Sequence, residues 1–192
     1  DAISELAGHR VAALVSATNG KTSTTRLLGT ALEQAGPVIT QPTGANMSTG
    51  IVMTLSNCAP EDTVVLEVDE AYLPRTMGQT NPRILLLGNL SRDQLDRMNE
   101  VAMTARSWRA MLTQHPEITV VANCDDPMIE FAASVVPEEH LVWVAAGQQW
   151  TADSSVCAAC GSLLARGDGT WSCPGCGRRR PEPAWRRDGE TA

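Results

Sequence analysis

The stretch "VAALVSATNGKTSTTRLLGTALEQAG", residues 11–36, limits the possible folds more than any other part of the 192-residue chain. It opens with five apolar residues, Val11 to Val15, too few for a helix, and they run into a loop containing Gly20. Beyond Lys21 the apolar period changes: Leu27, Leu28, Ala31, Leu32 and Ala35 fall at helical spacing, and Gly36 ends the pattern. The reading is strand, loop, helix. A continuously apolar strand is buried on both faces, and one followed directly by a helix is the repeating part of a parallel sheet, because parallel neighbours need a crossover. The alternation recurs. "TVVLEV" (63–68), "RILLLG" (83–88), "ITVVA" (118–122) and "HLVWVA" (140–145) read as buried strands. A helix over about 99–114 carries Val101, Ala105, Trp108, Met111 and Leu112 on one face, and a shorter helix follows Pro127. The expected fold class is α/β, a P-loop-type parallel sheet covered by helices.

Composition changes at Gly147. Residues 148–192 are rich in Gly, Pro, Arg and Cys and have no helical period, so a boundary is expected between a domain over 1–147 and a small appendage over 148–192. The appendage contains "CAACGSLLARGDGTWSCPGCG", in which Cys157 and Cys160 are separated from Cys173 and Cys176 by twelve residues. Each pair is closed by a glycine, Gly161 or Gly177. Two Cys-x-x-Cys-Gly knuckles fit a closed, tetrahedral, structural zinc site of four thiolates. The alternative, a thioredoxin-like dithiol, calls for a pair opening a helix in a βαβ unit, and neither pair does so. Cys58 and Cys124 stand alone and are expected to be small buried hydrophobes. His9, His115 and His140 adjoin no other ligand type and receive no role.

The formal charge of −7 argues against a general attraction to nucleic acid or anionic lipid. No apolar run reaches the roughly 20 residues of a membrane span, and the first 15 residues lack the pattern of a signal peptide. A cytoplasmic protein with no nucleic-acid partner and no transmembrane segment is expected. One local exception is "GRRRPEPAWRRDGE", with five arginines in ten residues. It could meet nucleic acid or the phosphates of a lipid-linked substrate, but the interspersed acids favour a solvated linker.

Lys21 is the only lysine in the chain. A strand running into Asn19-Gly20-Lys21-Thr22-Ser23 and then a helix gathers backbone N–H groups, a helix N-terminus and an ammonium around one point, which suits nucleotide phosphates. Lys21 would hold the β- and γ-phosphates, and the Thr22 hydroxyl would sit on Mg²⁺. Arginine would be too broad for that point-charge role. Carboxylates for the metal belong at the carboxyl ends of neighbouring strands, where "VVLEVDEA" supplies Glu67, Asp69 and Glu70 and "GNLSRDQLDR" supplies Asp93 and Asp96. Glu67 stands out, because a charge between Leu66 and Val68 in an apolar strand needs a partner such as Mg²⁺.

"TNGKTSTT", "VLEVDEA", "NLSRDQLDR" and "NCDDP" occur in an order and spacing that resemble the central ATPase domain of the Mur ligase family, over most of residues 11–130. "RDQLDR", with Gln94 where most members have histidine, together with the four-cysteine insert, resembles the branch of that family that acts as the synthetase subunit of a glutamine-dependent amidating complex. The resemblance implies ATP-dependent amidation of the D-glutamate α-carboxylate of lipid II, with ammonia from a GatD-type glutaminase partner. By position, Lys21 and Thr22 match the phosphate loop, Glu67 the Mg²⁺ glutamate, and Asn46 in "TGANMSTG" the asparagine segment near the phosphates. Ala17 stands where the family's loop usually has glycine. No second lysine is present to carry the carbamate found in most amino-acid-adding members, so a carbamate-supported second Mg²⁺ is not expected. The resemblance also implies a central-domain fragment, inactive alone, without the adenine-contacting segment and the C-terminal domain. Two alternatives remain: another Mur-type carboxylate–amine ligase such as folylpolyglutamate synthase, and a non-enzymatic zinc-ribbon module that binds nucleic acid. The cysteine insert speaks against the first and the acidic balance against the second.

Overall fold

The computed structural model describes residues 1–8, 11–91, 98–148, 154–167 and 169–186. Two compact units divide the chain, Asp1–Gly88 and Asn89–Ala192, so the division falls well before the composition change at Gly147.

In the first unit the strands are β1 (Val11–Ser16), β2 (Val38–Ile39), β3 (Thr63–Glu67) and β4 (Ile84–Leu87), and the helices are α1 (Ala2–Ala7), α2 (Lys21–Leu32), α3 (Ser48–Ser56) and α4 (Leu73–Thr80). The strand order is β2-β3-β1-β4, all parallel, with Leu14 opposite both Leu66 and Leu85. Every parallel step crosses over through a helix, as parallel pairing requires. Leu14, Val64, Val65, Leu66 and Leu85 are fully buried, which is why these strands read as unbroken apolar runs rather than alternating ones. Helix α2 packs on β1, β2 and β3, and α1 packs on α3 and α4. Helices α1, α3 and α4 and strand β2 are absent from the sequence reading. Strand β2 has only two residues, and α3 has polar and apolar residues too mixed to show a period.

In the second unit β5 (Thr119–Asn123) and β6 (Leu141–Ala145) pair in parallel, and β9 (Trp185–Arg186) adds to β6, also in parallel. Helices α5 (Met98–Thr113) and α6 (Pro127–Ala133) pack on each other, with the expected α5 face of Val101, Ala105, Trp108, Met111 and Leu112 buried. All seven residues of α6 are buried. The cysteine segment forms the hairpin β7 (Ala165–Gly167) and β8 (Thr170–Ser172). It is fastened to this unit rather than suspended from it. The Trp171 indole N–H donates to the Cys124 carbonyl at 3.0 Å, Arg180 Nε meets Asp125 at 2.8 Å, and Arg178 meets Glu130 at 2.9 Å.

The arginine cluster therefore departs from the solvated-linker reading. Arg178 and Arg180 are less than a quarter exposed and serve as internal fasteners, while Arg186 pairs with Glu182. Cys124 is buried, as expected, but Cys58 is only half-buried, its thiol donating to the Thr54 carbonyl at 3.2 Å. His9, Asp93, Gln94 and Asp96 lie outside the described residues.

Candidate nucleotide site and cysteine cluster

Strand β1 delivers the chain to the loop Ala17–Gly20, and Gly20, with φ of 85°, makes the left-handed turn that starts α2. Gly20 gives α2 no side-chain cap, and a helix N-terminus presents backbone N–H groups suited to an anion. Lys21 is folded back over this loop. Its Nζ donates to the carbonyls of Ala17 and Thr18 and lies 3.0 Å from Glu70 Oε2. Ala17 lies against Gly88, where an added Cβ would come within 2.9 Å of the Ala17 methyl.

Glu67 ends β3, 1% exposed, and among the described residues neither of its carboxylate oxygens has a hydrogen-bond partner. An ionised carboxylate buried without partners is costly, so its oxygens are suited to a cation. Thr22 converges on the same point: a Cβ built on Gly44 would sit 3.3 Å from Glu67 Oε1 and 3.3 Å from Thr22 Oγ1. A carboxylate and a hydroxyl facing one small space are hard oxygen ligands, the donor set for Mg²⁺. Asn46, on the same connection between β2 and α3, accepts at its carbonyl from the Asp69 N–H at 2.9 Å and so ties that loop to the end of β3. Lys21, Thr22, Glu67 and the loop Gln41–Asn46 are thus brought together. Sequence reasoning missed Gly44 and Gln41. Gln41 is buried, and its amide bonds to both backbone groups of Glu67; a polar residue just past a two-residue strand gave no periodic signal.

The four cysteines form the second cluster, with all four Sγ atoms within 4.8 Å of one another and Cys157–Cys176 and Cys160–Cys173 at 3.6 and 3.4 Å. Tetrahedral zinc with Zn–S near 2.3 Å sets the sulfurs about 3.8 Å apart. The two knuckles repeat one geometry. Gly161 N–H bonds to the Cys157 carbonyl at 2.8 Å and Gly177 N–H to that of Cys173 at 2.9 Å, with φ of 77° and 76° at the two glycines. Burial pushes the Cys157 thiol up to about 12, whereas hydrogen bonds from Ser162 bring Cys160 down to about 6.

At the turn between β5 and α6, Asp126 caps the helix, its Oδ1 accepting from the Met128 and Ile129 N–H groups and its Oδ2 from Leu90 N–H at 2.8 Å. Burial nevertheless pushes its carboxyl up to about 6. Asp125 accepts from the Gly147 and Gln148 N–H groups as well as from Arg180.

The sheet is mostly parallel, with a glycine-lysine-threonine turn at the end of β1 and a buried glutamate at the end of β3. Residues 15–158 match the Mur ligase middle domain, and the chain belongs to the Mur ligase family. It is 32% identical, over 97% of its length, to the lipid II isoglutaminyl synthase (glutamine-hydrolyzing) subunit MurT of Streptococcus pneumoniae, and spans 45% of that protein. It is also 32% identical, over 59% of its length, to the UDP-N-acetylmuramoylalanine–D-glutamate ligase of Pelotomaculum thermopropionicum, spanning 25% of it. Among solved structures, a pseudomurein peptide ligase type C from Methanothermus fervidus superposes with a TM-score of 0.66 at 21% identity, over 94% of this chain and 38% of that one. The chain thus spans less than half the length of each of these relatives.

Proposed function

We propose that the protein amidates the D-glutamate α-carboxylate of the lipid II stem peptide, as the ATP-dependent synthetase partner of a GatD-type glutaminase that supplies ammonia. The site geometry that carries this reading is the convergence of Thr22 with the Glu67 carboxylate, which has no hydrogen-bond partner among the described residues, beside the Lys21–Glu70 pair. The choice of substrate rests on similarity to the MurT of S. pneumoniae, which extends over 97% of this chain, whereas the D-glutamate ligase of P. thermopropionicum aligns over 59%. Thr22 and Glu67 would hold Mg²⁺, which when bound neutralises charge on the phosphates. Lys21 would exchange Glu70 for the γ-phosphate. The exchange is favourable because a phosphate carries more charge than one carboxylate and α2 also presents its N-terminus to it. The backbone N–H groups of Asn19 to Ser23 would cradle the remaining phosphate oxygens. The substrate carboxylate attacks the γ-phosphorus, ADP leaves, and ammonia displaces phosphate from the acyl phosphate to give the amide. The residues contribute mainly by positioning and electrostatics. Cys157, Cys160, Cys173 and Cys176 would hold a structural zinc with no open position for catalysis. A cytoplasmic location follows from this reading, and no helix among the described residues is long and apolar enough to cross a membrane.

The decisive experiment supplies the full-length protein with lipid II, ATP, Mg²⁺, glutamine and a glutaminase subunit, and detects the amidated stem peptide by mass spectrometry. Amidation that requires both ATP and the glutaminase, and is lost in Lys21→Ala, is the expected result. Near-normal turnover by Lys21→Ala would remove the phosphate-loop assignment, and failure to amidate by wild type would remove the substrate.

A further inference from the structure

Strand β2 pairs with β3 through two residues only, Val38 opposite Thr63 and Ile39 opposite Val64, yet β3 continues to Glu67. On its other edge β3 is paired to its end, with Leu66 opposite Leu14 and Glu67 opposite Val15, and Val68 N–H bonding to the Val15 carbonyl at 2.9 Å. A strand's backbone groups point alternately to its two neighbours, so the N–H and C=O of Glu67 face the side where β2 has already stopped. One side chain replaces the missing strand. Gln41 Oε1 accepts from the Glu67 N–H at 2.9 Å, and Gln41 Nε2 donates to the Glu67 carbonyl at 2.7 Å. The amide is 4% exposed, so water does not compete for these bonds. The Glu67 carboxylate itself takes no hydrogen bond among the described residues. Its aim is therefore fixed through the backbone alone, by the β1 pairing on one edge and by Gln41 on the other.

We propose that Gln41 is a positioning residue: it substitutes for a strand and thereby orients the Glu67 carboxylate toward the divalent cation shared with Thr22. The inference rests on the reading of Glu67 as the metal-binding glutamate. Residues that orient a metal ligand typically change metal affinity by about 10–100-fold when removed. A residue that merely stabilises the fold would weaken metal-free and metal-bound nucleotide binding alike.

The test measures binding of a fluorescent ATP analogue to the full-length protein, first in EDTA and then across a titration with Mg²⁺. The variants are Gln41→Ala, Gln41→Met, which preserves volume while removing both hydrogen bonds, and Glu67→Gln. For Gln41→Met the expected result is a Mg²⁺ requirement raised about tenfold with binding in EDTA changed less than twofold. Gln41→Ala should match it wherever that variant remains folded. Two results would overturn the proposal: an unchanged Mg²⁺ requirement in Gln41→Met, or equal losses with and without Mg²⁺. Glu67→Gln separates the two readings. If it responds to Mg²⁺ as wild type does, the assignment of Glu67 fails; if it loses the response to Mg²⁺ while Gln41→Met behaves as wild type, only the role of Gln41 fails.

Discussion

Arg178→Ala should destabilise the second unit by about 2–3 kcal/mol, far more than loss of a surface arginine normally does. Arg178 Nη1 donates to Glu130 Oε1 at 2.9 Å, to Glu130 Oε2 at 3.0 Å and to Ser134 Oγ at 3.0 Å, and the guanidinium lies 5.2 Å from the Phe131 ring centroid. Arg109 packs on the same ring at 4.9 Å, so Phe131 meets two cations. The Glu130 side chain is 9% exposed, and burial raises its carboxyl above the ordinary range even with Arg178 in place. An exposed pair would contribute at most about 1 kcal/mol. Here truncation strands a buried carboxylate, for which hydrogen bonds to charged groups set a scale of about 1.5–3 kcal/mol, with a little more from the lost cation–π contact. Part of the loss is recoverable. Replacing both partners by Met should come close to neutral, because no buried charge is then left unpaired. The double-mutant cycle of Arg178→Met and Glu130→Met, read from urea unfolding followed by circular dichroism, should give a coupling of about 2 kcal/mol. The single-variant cost should also shrink as pH falls, since the stranded Glu130 can then take up a proton. A coupling below about 0.5 kcal/mol would refute the argument that the cysteine segment is held to α6 by a buried pair.

The cysteine cluster should carry about one zinc per chain by elemental analysis. Because Trp171 and Arg180 reach the Cys124 carbonyl and Asp125, stripping the metal should raise amide exchange at the turn between β5 and α6 as well as in the ribbon. Absence of zinc, or exchange confined to the ribbon, would contradict this. For Asp126, the folded carboxyl is raised from 3.8 to about 6, so the folded state binds the proton more tightly than the unfolded chain. Its contribution to stability should therefore fall as pH rises from about 4 through about 6, by roughly 3 kcal/mol in all, and level off above that. Wild type measured against Asp126→Asn over that window should reveal the decline; a constant difference would refute it.

What could be read from the sequence divides along a physical line. β1, β3, β5, β6 and the face of α5 were legible because burial in a parallel sheet imposes unbroken apolar runs, and packing of a helix on one side imposes a 3.6-residue period. Lys21, Thr22, Glu67 and the four cysteines stood out as candidates because each is a costly or unusual residue in its setting: a lone lysine after glycine, an acid inside an apolar strand, thiols in closely spaced pairs. β2 and β9 were not legible, since two residues cannot display a period. The ties of the ribbon were hidden for a different reason. Arg178 and Arg180 sit in a run that looks like solvated charge, and only the fold reveals that Glu130 and Asp125, about fifty residues earlier, wait for them.

Gln41 belongs to that second kind and marks where single-sequence reasoning stops. Sequence can identify a carboxylate that needs a cation, because the cost of burying it is a property of one position. It cannot identify the group that aims the carboxylate, because that group's role depends on a neighbouring strand being only two residues long. The Glu67 backbone would otherwise face a gap, and a buried N–H and C=O left unpaired would each cost about 1–3 kcal/mol. The short β2 thus creates the vacancy that Gln41 fills, and the sheet edge and the aim of the glutamate are settled by the same two hydrogen bonds.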